Sequence, residues 1–203
     1  MISGRRASER VSGWLLAVCC AGTIFAAAPV ARATDRFDFP TLMQAFAKTS
    51  SAEARFTERR TMSILKKPLD SSGVLRYTAP DRLEKHTLQP ADEMLLVERD
   101  QITLERAGRK RVLALGDYPA LWALVESMRG TLAGDAATLT RFYEARLDGS
   151  EARWVLTLVP REARMSELVA TIRLTGRNAR IEEIDIFETG GDRTTMTIDD
   201  RAP

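Results

Sequence analysis

After residue 20 the sequence contains no cysteine. Cys19 and Cys20 stand side by side in an apolar N-terminal run. No disulfide frames the remainder, and no thiol serves there as nucleophile or zinc ligand. Histidine is nearly as scarce, with His86 the single one. A Ser-His-acid arrangement would have to use it, and no residue pattern sets a nucleophile beside it. The chain has no G-x-S-x-G, no H-E-x-x-H and no Gly-rich phosphate loop. Glu84 and His86 lie two apart on one strand face, which is half a metal site with no third ligand nearby. These absences point away from an enzyme and from a cofactor or metal.

An excess of one charge is also missing. Four of the 30 basic residues and one of the 28 acidic residues precede Thr34, which leaves 26 against 27. The positive balance of the whole chain therefore comes from its start. No broad basic field remains to bind nucleic acid. The sequence also lacks a Ser/Gly/Pro-rich linker, an internal repeat and a low-complexity tract.

The N-terminus reads as a secretory leader. Arg5, Arg6 and Arg10 precede a small-and-apolar run over residues 14–28, and Ala31-Arg32-Ala33 fits an A-x-A cleavage site. The expectation is a cleaved leader over 1–33 and a mature domain over 34–203, exported to the periplasm. A retained anchor helix is the alternative, but the run is short for a membrane span. The 170 residues that follow suit one domain, expected to be monomeric, with a core built by packing alone.

Asp38 and Pro40 open a short helix, in which Phe39, Leu42, Met43 and Phe46 recur at helical spacing. From Ser51 the period changes to two. A strand is expected to run from there to about Lys66, with Met62 and Ile64 inside it and Ala54, Phe56 and Glu58 on one face. Further strands follow over residues 74–77, 82–88, 93–98, 102–105 and 112–115, separated by turns at Ser71-Ser72-Gly73, Ala79-Pro80-Asp81, Gln89-Pro90 and Gly108. Two mid-chain helices come next. Asp117 is expected to cap the first, Pro119 to open it and Gly130 to end it, with Leu121, Leu124, Val125 and Met128 as its apolar stripe. Asp135 caps the second, which carries Leu139 and Phe142 on one face. Strands resume over 142–147 and 153–159 around Asp148-Gly149-Ser150, then over 168–174, 181–187 and 194–198. Trp154, Leu156 and Leu158 share one face, as do Leu168, Ala170, Ile172 and Leu174. The total is roughly ten antiparallel strands and three helices, an α+β class.

The segments Ala54-Arg55-Phe56-Thr57-Glu58, Gly73-Val74-Leu75-Arg76-Tyr77, Pro80 through Gln89-Pro90, and 94–97 resemble those of the periplasmic outer-membrane lipoprotein carrier (LolA-like) family. The order of elements is similar as well. The resemblance implies a curved antiparallel sheet, a half-open barrel, with helices over its concave face as a lid. It implies a cavity that takes up acyl chains of a lipoprotein or related lipid, received from an inner-membrane donor and passed to an outer-membrane acceptor. Phe56, Leu75, Tyr77 and Leu83 match inward family positions. Leu121, Leu124 and Val125 correspond to the lid. Ala79 stands where the family has an arginine that bonds to the lid. Lys85 stands where the family often has an aromatic, which would set a cation on the inner face to meet a head group. The plainer reading takes Lys85 to the rim or outward. Period-two patterning alone does not separate a lipid cavity from a filled core. A periplasmic protein-interaction or lipid-sensing domain on the same scaffold is the alternative function.

Overall fold

Alternation of apolar and polar residues makes a strand two-faced, and successive hairpins join such strands into one sheet with a polar and an apolar side. The computed structural model describes residues 37–199. For several residues of one helix it describes the backbone alone. The expected leader over 1–33 and the mature start at Thr34 lie outside the described residues.

The first helix, α1 (Phe39–Phe46), begins at Asp38, whose Oδ1 accepts from the Thr41 amide at 2.9 Å. Then come β1 (Ser51–Thr61), β2 (Leu69–Thr78), β3 (Arg82–Gln89), β4 (Glu93–Glu98), β5 (Gln101–Arg106) and β6 (Arg109–Ala114). A 3-10 turn (Leu115–Asp117) leads to α2 (Pro119–Leu132) and α3 (Ala136–Phe142). The chain continues as β7 (Tyr143–Ser150), β8 (Arg153–Pro160), a single helical turn α4 (Ala163–Ser166), β9 (Val169–Arg177), β10 (Arg180–Glu188) and β11 (Arg193–Asp199). The strands form one antiparallel sheet of eleven in the order β6-β5-β4-β3-β2-β1-β11-β10-β9-β8-β7. The sheet is curved and unclosed, with β6 and β7 as its free edges.

Several expectations shift. β1 ends at Thr61, so Met62 and Ile64 fall in the following loop. That loop leaves the ladder where Ser63 donates its amide to Asp192 Oδ1 at 2.8 Å. Helix α2 has Tyr118 at its N-cap with no side-chain cap, because Asp117 is taken up in the 3-10 turn. Gly130 lies within α2, and the left-handed residue after the helix is Gly134, at φ +69°. Its missing Cβ leaves room for the Met43 carbonyl and the Ala47 amide of α1. Tyr143, not Phe142, opens β7, which runs on through Asp148-Gly149-Ser150, so that hairpin turns at residues 151–152 instead. Ser71-Ser72-Gly73 likewise lies within β2, paired with β1, and is not a turn before it. In β9 the register slips opposite Phe187 and Glu188. This bulge turns Val169 inward and leaves Leu168 and Ala170 exposed, while Ile172 and Leu174 stay buried.

Register sorts the two faces. Phe56, Leu75, Lys85, Leu95 and Leu104 share one, with Trp154, Leu156, Leu174, Ile184 and Met196 further along. We call it the inner face, because the helices cover it. The other carries Arg59, Asp70, Thr195 and Arg173 and is polar. On this outer side Asp185 is buried, and it accepts from Arg193 Nη2 and Thr195 Oγ1, each at 2.7 Å.

Two apolar clusters pack on the inner face. In the larger, Leu42, Met43 and Phe46 of α1, Leu139 and Phe142 of α3 and Met165 of α4 meet Trp154, Leu156, Leu158, Ile172 and Leu174. In the smaller, Val125 of α2 and Leu115 meet Val97 and Ile102, flanked by Leu83, Leu95, Leu104 and Leu113. Trp122 packs against both clusters and meets Phe142 edge-on at 5.0 Å.

Candidate functional site

Between the two clusters runs the inner surface of β11, β1 and β2, three strands central in the sheet order. Phe56 and Tyr77 are 2% and 4% exposed there, yet neither cluster includes them. Ala54, Leu75, Met196 and Ile198 are half-buried around them. Gly73 stands opposite Phe56, so the ring faces a position without a side chain. A Cβ on Gly73 would overlap the His86 carbonyl across the β2–β3 pair.

The residues singled out from sequence are thus brought together in part. Phe56, Leu75, Tyr77, Leu83 and Lys85 all occupy the inner face of three adjacent strands. Leu83 lies opposite both Tyr77 and Val97 and leans on the smaller cluster. Tyr77 Oη is buried with no hydrogen-bond partner. Burial pushes its phenol above the usual range, while nearby Arg129 opposes that and Asp81 adds to it. Val125 is buried in α2 over this end of the sheet. Leu121 and Leu124 lie on the same helix, with side chains outside what is described.

Lys85 points neither outward nor to a bare rim. Its Nζ lies 2.6 Å from Glu58 Oε2 and 5.0 Å from the centre of the Phe56 ring, with the two charged side chains 27% and 17% exposed. A cation held there is matched by an anion and by the ring face. Glu58 was legible as its neighbour only in part. Its spacing from Phe56 puts it on the inner face, but the pairing depends on register across β2. Beyond it, Arg60 reaches Glu188 at 3.0 Å, while its Nε is buried without a partner. The inner face therefore grades from apolar under the helices to charged toward the ends of β1 and β3.

Sequence reasoning missed Arg129. Four residues after Val125, it shares that side of α2. Its guanidinium donates to Glu126 Oε1 at 2.6 Å and to the Arg99 carbonyl at 3.2 Å, and lies 3.4 Å from Asp81 Oδ2. Asp81 belongs to the β2–β3 turn and Arg99 to the β4–β5 turn. One side chain thereby ties α2 to two turns of the sheet. Its partner Asp81 shares the β2–β3 turn with Ala79, the position where the resemblance implied an arginine bonding to the lid.

His86 and Glu84 face outward and are otherwise engaged. His86 Nε2 lies 2.7 Å from Asp92 Oδ1, and Glu84 pairs with Arg76 at 2.8 Å. Among the described residues no three of His, Cys, Asp and Glu gather to hold a metal. Two wide-open depressions, ≈ 580 and ≈ 460 Å³, lie on the polar outer side over β1, β2 and β11. Thr57, Ser72 and Thr197 line both. Among the described residues no helix is long and apolar enough to cross a membrane.

No curated protein sequence matches the chain. Among solved structures it is similar to a LolA superfamily protein from Nitrosomonas europaea, at 10% identity and TM-score 0.44, over 78% of this chain and 90% of that one. It is similar to an outer membrane lipoprotein-sorting protein domain from Vibrio parahaemolyticus, at 11% identity and TM-score 0.39, over 79% and 88%. It is also similar to a chain of the Pseudomonas aeruginosa MucA/MucB complex, at 14% identity and TM-score 0.36, over 79% and 55%. A family model described as outer membrane lipoprotein carrier protein LolA-like matches residues 28–200, well over half of the sequence. The chain belongs to this LolA-like family.

Proposed function

We propose that the inner face of β11, β1 and β2 holds the acyl chains of a lipoprotein or related lipid. The protein then carries them through the periplasm toward the outer membrane. The observation that carries this reading is the strip of Phe56, Leu75, Tyr77, Met196 and Ile198, apolar apart from the Tyr77 hydroxyl and flanked by two packed clusters that include neither Phe56 nor Tyr77. Transfer of an acyl chain from water gains about 0.8 kcal/mol per methylene, so a long chain gains on the order of 10 kcal/mol. A carrier must match that gain and still release its cargo. Helix α2 suits the task as a lid, with a few apolar contacts through Val125 and Trp122 and a polar tie through Arg129. Opening trades helix packing for lipid contact. Lys85, balanced by Glu58, lies where a head group would meet the end of the apolar strip. No cofactor enters this function. An inner-membrane donor and an outer-membrane acceptor are its expected partners.

Native mass spectrometry of protein recovered from the periplasm tests this. Bound acylated species, and uptake of a labelled lipid that Leu75→Glu and Leu83→Glu both reduce, are the expected results. A lipid-free protein that takes up nothing, held in a stable complex with another protein, would favour an interaction or sensing domain instead. Unchanged uptake in both variants, with the fold intact by circular dichroism, removes the inner face as the site.

A further inference from the structure

Antiparallel connectivity gathers alternate turns along one border of the sheet. Thr61 lies opposite Arg193, Arg60 opposite Leu69, Ser72 opposite Gln89, Thr87 opposite Glu93 and Arg106 opposite Arg109. The loops after β1, β3, β5 and β10 therefore share one border, and the turns tied by Arg129 share the opposite one. The β1–β2 loop, residues 62–68, holds Ile64 at 80% and Leu65 at 41% exposed, followed by Lys66 and Lys67. Leu69 and Leu88 are exposed at 53% and 49% on the same border. Single exposed leucines are ordinary on a protein surface. A bare Ile-Leu pair at a loop tip, joined to two lysines, is a different case.

The second cluster is the β5–β6 hairpin. Arg106, Arg109, Lys110 and Arg111 crowd around the turn at Ala107-Gly108, all exposed. Segments 62–68 and 106–111 together hold six cations and no acidic residue. Of the six, Arg106 alone has a carboxylate partner among the described residues, Glu93 at 3.6 Å. β2 and β5 are three strand steps apart, roughly 14 Å along the sheet, so the two tips are neighbours on this border.

We propose that this border is a docking surface for an anionic lipid bilayer. Ile64 and Leu65 enter the interfacial zone, and Lys66, Lys67 and the 106–111 hairpin engage anionic head groups. Exposed apolar side chains beside unpaired cations are the combination that such a surface rewards, each part weak by itself. The border also adjoins the charged end of the inner face, where Arg60, Glu58 and Lys85 lie. Docking would thus set the open side of the sheet against the membrane and keep the α2 tie away from it. The proposal goes beyond carriage and does not need it, because a sensor of membrane lipid would use the same border.

Vesicle flotation tests it, with protein expressed with its own leader, recovered from the periplasm and checked by intact mass. The probes are vesicles of phosphatidylcholine alone and of phosphatidylcholine with about one-third phosphatidylglycerol. The protein is expected to float with the anionic vesicles at about 0.05 M salt, to stay unbound with the neutral ones, and to be released near 0.5 M. The pairs Ile64→Asp with Leu65→Asp, Lys66→Glu with Lys67→Glu, and Arg109→Glu with Lys110→Glu should each lower binding about tenfold or more. All six positions are loop or hairpin sites, so thermal melts should stay near wild type, and a pair that fails to fold leaves two others to decide. Absence of flotation by the wild type, or flotation of the variants equal to wild type, overturns the proposal. Labelled-lipid uptake is measured in parallel. Uptake without flotation defeats docking alone, and flotation without uptake defeats carriage alone.

Discussion

Cutting the Arg129 tie should loosen α2 by a predictable amount. The guanidinium lies 3.4 Å from Asp81, with the two side chains 17% and 27% exposed. At an effective dielectric of about 20, the gross attraction is about 5 kcal/mol. Desolvation and lost side-chain freedom consume most of that, so a charged hydrogen bond in such a place retains roughly 1.5–3 kcal/mol. Asp81→Asn keeps the size of the side chain and leaves the Glu126 and Arg99 contacts in place. It should therefore cost about 1–2 kcal/mol, a factor of about 5–30 in the equilibrium between docked and undocked α2. Arg129→Met removes all three contacts and should act more strongly. Arg129→Lys keeps the charge, loses the fork and should fall between wild type and Arg129→Met. Hydrogen exchange read by mass spectrometry reports the effect directly. Peptides covering 119–132 should lose protection by the stated factor, while those from β8 and β9, under the larger cluster, should not change. If opening of α2 limits lipid entry, labelled-lipid uptake speeds up by a similar factor. Protection over 119–132 equal to wild type in both Asp81→Asn and Arg129→Met would refute the tie, and with it the lid as described.

Three further outcomes follow from local geometry. Glu58→Gln should destabilise the protein by about 1–2 kcal/mol in urea melts, because it leaves the partly buried Lys85 without its anion. Glu58→Gln combined with Lys85→Met should recover much of that loss. Gly134→Ala should cost several kcal/mol, more than the roughly 1 kcal/mol of a plain left-handed penalty, because its methyl meets the backbone of α1. A melting temperature within a degree or two of wild type would disprove that close approach. Asp135 is the third case. The Thr138 hydroxyl and backbone amides hold its carboxyl below the ordinary value of 3.8. A depressed folded value means that the stabilisation is complete above the unfolded value and fades as pH falls through the folded one. Asp135→Ala should therefore cost about 1 kcal/mol at neutral pH and progressively less in acid, which thermal melts across that range will register.

Much of the fold was open to reading from sequence because its signals are local. Asp38 before Pro40, the polar-apolar beat through Phe56 and the cap at Asp135 each specify backbone within a few residues. The inner placement of Phe56, Leu75, Tyr77 and Leu83 follows from the same beat once one face is known to be covered. The misread places were those where a local pattern met a distant constraint. Leu168 and Ala170 continue a perfect alternation with Ile172, yet the bulge opposite Phe187 breaks it. Met62 and Ile64 continue the beat of β1, but neither β2 nor β11 has residues left to pair with them. Gly130 resembles a helix stop, but the turn is made at Gly134, where α1 passes too close for a side chain.

The order of residues alone thus determined the strand-rich class, the direction in which most side chains face, and the want of cysteine or paired histidine for covalent chemistry. Tertiary structure decided who meets whom. Lys85 finds Glu58 from 27 positions away, Arg60 finds Glu188 across 128, and Arg129 crosses from a helix to two turns. It also decided that Ile64 and the cations at 106–111 share a border. The reason is that a side chain's face is set by its own backbone torsions, whereas its partner is set by strand register and sheet order. Those depend on how every other strand has already paired.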